Sequence, residues 1–317
     1  MFLIYIDEFG NTGEKLDTPK QPLYQLQAAL VPADNRWVWL ENGLFTLSRG
    51  LQERLQLREA PHLHAVEIYQ RSGYYRKPPN GLELEPEEAF EVFNEVFSLS
   101  DRAGILYTSI LIDKIWLLDL VRDELKKKGA HPELIRRTKS MPGFRQMAFI
   151  LLLEWLDLHL RNLGAYGVVF FEQEKPQMDR DLALSTVYAA LRQVGHFQRI
   201  LDAPSPKAKR TSLLLALADF AGYVSGNVYL SNFFGRPERP HLDEWYTTHI
   251  YPRVLGDLKV GERIHAIPPG SSTVMPNNPY SIHARLTSIR FLAKDPTASL
   301  SAVVSELEKA FDKKEGE

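Results

Sequence analysis

The stretch Met1–Gly13, MFLIYIDEFGNTG, decides how the chain is read. Its apolar run from Phe2 to Ile6 has β-branched and aromatic members and ends abruptly in Asp7 and Glu8. Gly10, Asn11, Thr12 and Gly13 follow at once, so the pattern predicts a buried strand that carries two carboxylates to a sheet end and leaves in a tight turn. Carboxylates in such a place are costly to desolvate, and a divalent cation is a common compensation. Read alone, the same residues describe an acidic hairpin turn. Adjacent strand residues point to opposite faces, so only one of the pair can share a metal-binding face directly, and Asp7 is expected to be that one.

Working outward, Leu23–Val31 (LYQLQAALV) reads as a second strand, antiparallel to the first. Residues 35–58 carry Trp37, Leu40, Leu44, Leu47, Leu51 and Leu55 at helical spacing. HLHAVEIY, 62–69, is expected to be a short strand or strand end bearing Glu67. Pro86 opens a helix with acidic first-turn residues, GILYTSILI (104–112) is a strand, and 114–128 is a helix ending in three lysines. The longest helical pattern runs over 141–163, with Pro142 near its start and Gly164 after its end. YGVVFF, 166–171, is a further buried strand leading into Glu172 and Glu174; 178–194 reads as a helix and 196–201 as a short strand. After the basic loop APSPKAKR (203–210), 212–229 is an apolar helix holding one carboxylate, Asp219. Strands alternating with helices, joined to an initial hairpin, give an α/β fold with a mixed sheet.

The chain has 317 residues, of which 44% are hydrophobic and 25% charged, enough to bury a sizeable core. Having no cysteine, it has no disulfide, thiolate zinc site, iron–sulfur cluster or cysteine nucleophile, and it suits a reducing cytoplasm. The opening apolar run is too short and lacks the basic leader of a signal peptide, and charges interrupt the 149–153 run, so no membrane span is expected. The formal charge of −2 leaves a nucleic-acid partner to be judged from the charge distribution.

Asp219 is the most telling carboxylate, because LLLALADFAGYV offers it no basic partner at helical spacing, and a buried unpaired Asp is rare unless neutral, hydrogen-bonded or on a metal. Asp7, Glu8, Glu67 and Glu172 stand in comparable settings. Two-metal phosphoryl chemistry needs such a set, and oxygen-only ligation selects Mg²⁺ or Mn²⁺. His62 and His64 read first as structural residues, with ligand or general base as the sharper alternative. Glu154 and Asp157 lie in an apolar helix, but Arg161 at i+4 from Asp157 makes an ordinary surface pair the simpler reading.

With these motifs in view, the chain resembles a domain-of-unknown-function family, numbered 3800, that is regarded as ribonuclease H-like. IYIDEFGNTG is similar to the family's opening YIDESG, and SLLLALADFAGYVSG to its later S-x-x-x-Q-L-A-D-x-x-A-G helix; HLHAVEI and VVFFEQE occupy the places of its middle acidic segments. Phe9 stands where the family usually has Ser, Ala216 where it tends to have Gln, and Glu172 where Asp is usual. The resemblance implies a ribonuclease H-like domain over 1–230 and leaves 231–317 as an irregular C-terminal extension with a terminal helix. It also implies a microbial Mg²⁺- or Mn²⁺-dependent nuclease. Carried over by position, Asp7, Glu67, Glu172 and Asp219 would hold metal, and Glu8 would join them in catalysis.

Basic residues are uneven. Arg122, Lys126, Lys127, Lys128, Arg136, Arg137, Lys139 and Arg145 outnumber Asp123, Glu124 and Glu133 in that region, and Lys207, Lys209 and Arg210 form a second patch before the Asp219 helix. Such patches attract phosphate backbones through counterion release, so DNA or RNA is the expected partner; a solvated helix face and a polar loop describe them equally well. Two other functions compete. A degenerate ribonuclease H-like module would bind nucleic acid or protein in a defence or mobile-element system. An actin-like or sugar-kinase-type phosphotransferase would want Gly one residue earlier than Gly10 and a second glycine-rich phosphate loop, and a haloacid-dehalogenase-like phosphatase would want Asp where Phe9 stands.

Overall fold

Strand β1, Phe2–Phe9, lies at the centre of a five-stranded sheet and sorts the molecule into two layers. The computed structural model describes residues 1–10, 15–76, 82–127, 129–140, 144–172, 188–189, 192–193, 196–208 and 212–255. Along β1, Leu3, Tyr5 and Phe9 pack into one apolar cluster and Phe2, Ile4 and Ile6 into a second on the opposite side of the sheet. This alternation is the period-two geometry of a strand with both faces covered, and it explains why Phe2 to Ile6 is apolar without a break.

β2 (Leu23–Pro32) pairs antiparallel with β1, and β3 (Leu106–Asp113) antiparallel with β2. β4 (Gly167–Glu172) runs parallel to β1 on its other side, and β5 (Ser205–Lys207) parallel to β4, giving the order β3-β2-β1-β4-β5. The mixed α/β architecture expected from the sequence is present. Gly167 lets β4 come close to β1, since a methyl there would stand 2.6 Å from Ile4 Cδ1.

On the Tyr5 side lie α1 (Asn35–Arg54), α2 (Ala65–Gln70) and α3 (Pro86–Ala103). The α1 N-terminus is capped by Asp34, whose side chain accepts from Arg36 N at 2.9 Å, and Leu40, Leu44, Ser48 and Leu51 form its buried stripe. A Glu85/Glu88 capping box opens α3 and Gly104, at φ 68°, closes it. On the Ile4 side lie α4 (Lys114–Lys127), α5 (Pro132–Arg137) and α6 (Phe144–Asn162). α7 (Leu215–Phe234) returns to the Tyr5 side and is buried around most of its circumference, as its apolar sequence requires. A short helix α8 (Pro240–Trp245) and the turns that follow complete that layer.

Three local expectations are corrected. HLHAVEIY is not a strand: Ala65 and Ile68, three residues apart, face the core from α2, and Arg71 in the left-handed region ends the helix. The expected boundary at 230/231 falls inside α7, and Leu242, Trp245, Tyr246 and Ile250 pack into the same cluster as α3 rather than into an irregular extension. Residues 196–201 form no strand, only an isolated bridge from Ile200 to Gly167. Most of the helix expected over 178–194 and all of 256–317, with the terminal helix expected there, lie outside the described residues.

Asp157 is not a surface residue. It is 1% exposed, accepts from Arg199 N at 2.6 Å, and binds Arg161 at 2.6 and 2.8 Å, so it ties α6 to the loop before β5. Two residues on, His159 is 4% exposed with its ring edge-on to Trp155. Burial disfavours its imidazolium and pulls its pKa from 6.5 down to about 4. The native state therefore takes up this proton only near pH 4, whereas an unfolded chain takes it up near pH 6.5. Stability from a neutral His159 is complete above pH 6.5 and is lost as pH falls through 4, by about 3 kcal/mol. In denaturant titrations, His159→Phe is expected to flatten the decline in stability between pH 6.5 and 4; an unchanged slope would contradict this assignment.

Candidate functional site

Asp7 and Asp219 line one cleft of about 460 Å³ between the end of β1 and the side of α7. Strand alternation puts Asp7 on the Tyr5 face of the sheet, where it is 3% exposed and its Oδ1 accepts from Glu8 N at 2.8 Å. α7 crosses that face, and Ala218, Asp219, Gly222, Tyr223 and Asn227 lie along the cleft at helical spacing, a floor about 14 Å long. The close approach is built into α7 by two glycines. A methyl at Gly226 would collide with the Phe9 ring, and one at Gly222 would stand 3.2 Å from Gln27 Cβ. The Phe9 ring is thus the surface of β1 on which α7 is seated at Gly226.

Behind the cleft a buried polar set fixes the register of sheet and helix. Gln25 Nε2 donates to Gln27 Oε1 and to Ser225 Oγ, both at 2.8 Å, and Gln27 Nε2 donates to Thr108 O at 3.2 Å. At the turn after β1, Gly10 has φ 78°, a conformation that favours glycine, and its carbonyl accepts from Lys114 Nζ at 3.0 Å. The Lys114 ammonium is fully buried, and burial pushes its pKa down to about 8.

His64 is the site residue that sequence reasoning undervalued. As the residue before α2 it lines the cleft, with Nε2 at 4.0 Å from Asp219 Oδ2 and Nδ1 at 3.6 Å from Glu67 Oε1. Asp219 Oδ2 also accepts from Ala65 N at 2.8 Å, which anchors the start of α2 to the second turn of α7. Tyr75 reinforces the same corner by donating from its buried hydroxyl to His62 O at 2.6 Å. Glu67 therefore approaches the cleft through His64, while its own carboxyl lies against Gly73. Reading 62–69 as a strand concealed this, because only a helix brings positions 64 and 67 to one side.

Glu172 ends β4. The β1–β4 register pairs Tyr5 with Phe170 and ends at Ile6 with Phe171, one step short of Glu172, which by strand alternation shares the Phe170 face but is not among the residues lining the cleft. Glu174 lies outside the described residues. Glu8 points the other way, as alternation demands, and makes an ion pair with Arg145 of α6, with the Arg145 Nε 3.1 Å from Glu8 Oε1. The fully buried Tyr24 hydroxyl stands with this pair; burial first and the Glu8 carboxylate second push its pKa well above the usual value.

Oxygen donors on Asp7, Asp219 and Glu172 have the chemistry that suits a hard divalent ion such as Mg²⁺ or Mn²⁺. Among the described residues, no three His, Asp or Glu side chains already gather into a metal-binding cluster.

The expected basic grip is elsewhere. α4 and α5 cover the opposite face of the sheet, and their charges are engaged locally: Lys126 with Asp123 at 2.8 Å, Arg136 with Glu133 at 2.8 Å, and Lys139 with Asp17 at 3.6 Å. Lys127 and Arg137 belong to the same layer, and Lys128, Lys209 and Arg210 lie outside the described residues. Lys207 alone keeps to the cleft's side, its Nζ 5.2 Å from the Phe170 ring centre. The cations that line the cleft are Arg236 and Arg239, from the segment after α7. The sequence signal for them is GRPERP, two arginines spaced by prolines behind the glycine that ends the Asp219 helix.

Arg145→Met is expected to cost about 3 kcal/mol in denaturant titrations, because it strands the Glu8 carboxylate in a partly buried setting. The double variant Glu8→Gln/Arg145→Met is expected to recover part of that loss; equal destabilisation of the two proteins would rule out the pair as the cause.

Among the described residues, no helix is long and apolar enough to cross a membrane. Compared with protein-family models, with curated proteins and with solved structures, the chain finds no match.

Proposed function

We propose that the chain is a metal-dependent nuclease with a ribonuclease H-like fold, acting on nucleic-acid phosphodiester bonds at the Asp7–Asp219 cleft. The observation that carries this reading is the meeting, in one cleft, of a carboxylate at the end of the central strand with another in the second turn of a buried helix, residues far apart in sequence. The sheet supports it too: three antiparallel strands followed by two parallel ones, in the order β3-β2-β1-β4-β5, agree with the fold that the resemblance implies.

In this reading Asp7 and Asp219 would hold the ion, and Glu172 would join from the neighbouring strand. A bound Mg²⁺ or Mn²⁺ would activate water and offset charge on the leaving oxygen. Glu67 orients His64, whose Nε2 faces the cleft and moves a proton there. Glu8, turned to the other face, supports Asp7 through its backbone N–H and acts as a positioning residue. Arg236 and Arg239 meet the phosphates.

The test is cleavage of labelled single- and double-stranded DNA and RNA with Mn²⁺ or Mg²⁺, alongside thermal unfolding with and without metal. Asp7→Asn and Asp219→Asn are each expected to abolish cleavage and to remove the metal's stabilisation, about 2.7 kcal/mol at a hundred times its Kd. His64→Ala is expected to lose at least about a hundredfold in rate while retaining metal-induced stabilisation. Intact substrates in every arm, with no metal effect that depends on Asp7, would sink the proposal.

A further inference from the structure

One rim of the cleft continues as a row of rings that runs from the buried Tyr223 out to solvent. Tyr223, inside the cleft, stands 5.3 Å from Tyr69; Tyr69 stands 6.1 Å from Phe90, and Phe90 4.3 Å from His241. Tyr69 and Phe90 are half-buried and His241 is exposed, so the row leaves the core and reaches solvent. Arg239 borders it: its guanidinium lies 5.5 Å from the Tyr69 ring centre and donates to the Tyr223 hydroxyl at 3.3 Å. Arg236 is fixed nearby by a hydrogen bond to Lys20 O. Phe93 and Trp245 lie beneath this row in the core; Tyr69 and Phe90 pack on that core with part of each side chain still exposed, and His241 lies beyond them.

We infer that this row is a stacking platform for a single nucleic-acid strand, which enters the Asp7–Asp219 cleft with its bases on Tyr69, Phe90 and His241 and its phosphates toward Arg239 and Arg236. This deepens the nuclease reading and rests on it. Duplex bases are stacked on one another and offer only their edges, whereas a strand with unstacked bases gains from each ring face. Charge fixes the strand's orientation. Glu87 and Glu91, exposed on α3 beside Phe90, repel phosphates, while Arg236 and Arg239 attract them on the cleft side.

The test is fluorescence anisotropy in EDTA, where no cleavage occurs, with labelled single-stranded DNA, single-stranded RNA and the matching duplexes. Single strands are expected to bind at least about tenfold more tightly than duplexes. His241→Ala and Phe90→Leu are each expected to weaken single-strand binding by roughly five- to a hundredfold, with duplex binding little changed. Arg239→Glu is expected to weaken binding of every strand and reduce its salt dependence. His241 and Arg239 are exposed, so their variants keep the fold, which unchanged melting temperatures would verify. Preference for duplex, absence of binding, or undiminished affinity in the ring variants would overturn the inference. Metal-dependent cleavage of duplex alone would then leave the nuclease reading standing. Platform-dependent binding without cleavage in any metal would do the reverse, and the DNA and RNA arms separate the two sources of strand.

Discussion

The close seating of α7 on the central sheet is the constraint on which everything else depends. Gly222 and Gly226, one turn apart, remove the side chains that would hold the helix away from Gln27 and Phe9. Without that approach Asp219 could not share a cleft with Asp7, and Ser225 could not reach Gln25. Dispersion and apolar burial supply the attraction, but they are non-directional and would accept several positions of an all-apolar helix. The directional part comes from the hydrogen bonds of Ser225 to Gln25 and Gln27, which an axial slip of one turn would leave unmade inside the core at a cost of about 1–3 kcal/mol per stranded group. Packing brings the helix down; the polar set chooses where it stops.

The second organising fact is that β1 spends its two adjacent acids on opposite faces. Asp7 turns to the α7 layer and its cleft; Glu8 turns to the α6 layer and is neutralised by Arg145. A pair of carboxylates on one face would repel each other and raise the cost of burial. Splitting them across the sheet places one acid at the cleft and uses the other to lock α6 against the same strand end. The backbone bond from Glu8 N to Asp7 Oδ1 joins the two, so a displacement of α6 is felt at Asp7.

Much of this was legible before any coordinates. The runs of Phe2–Ile6, 23–31, 104–112 and 166–171 are rich in apolar residues, and each contains a strand, because burial on both faces favours apolar side chains and admits polar ones such as Gln25 and Gln27 where they are hydrogen-bonded. Asp219 stood out because the residues around it could not neutralise it. The segment 62–69 misled because Val66 and Ile68 favour strands and its length is too short for helical period to assert itself; burial of Ala65 and Ile68 and the bond to Asp219 decided for helix. Asp157 misled because Arg161 at i+4 is a sufficient local explanation, and nothing in the sequence shows that Arg199 N arrives from the other side.

The basic residues carry the most general lesson. The lysines and arginines of 122–145 are dense along the sequence, yet density measures neither which face of the sheet they occupy nor how many carboxylates stand beside them. Asp123, Glu133 and Asp17 take up much of that charge on the layer remote from the cleft. Arg236 and Arg239 are sparse, but the chain turns at Gly235 in the left-handed region and returns them to the cleft that Asp219 lines. An electrostatic field at a site depends on distance and screening, and it falls off within about 8–10 Å at physiological salt. Two arginines on the rim therefore outweigh a longer basic run behind the sheet, and it is the end of α7, with its glycine cap, that puts them there.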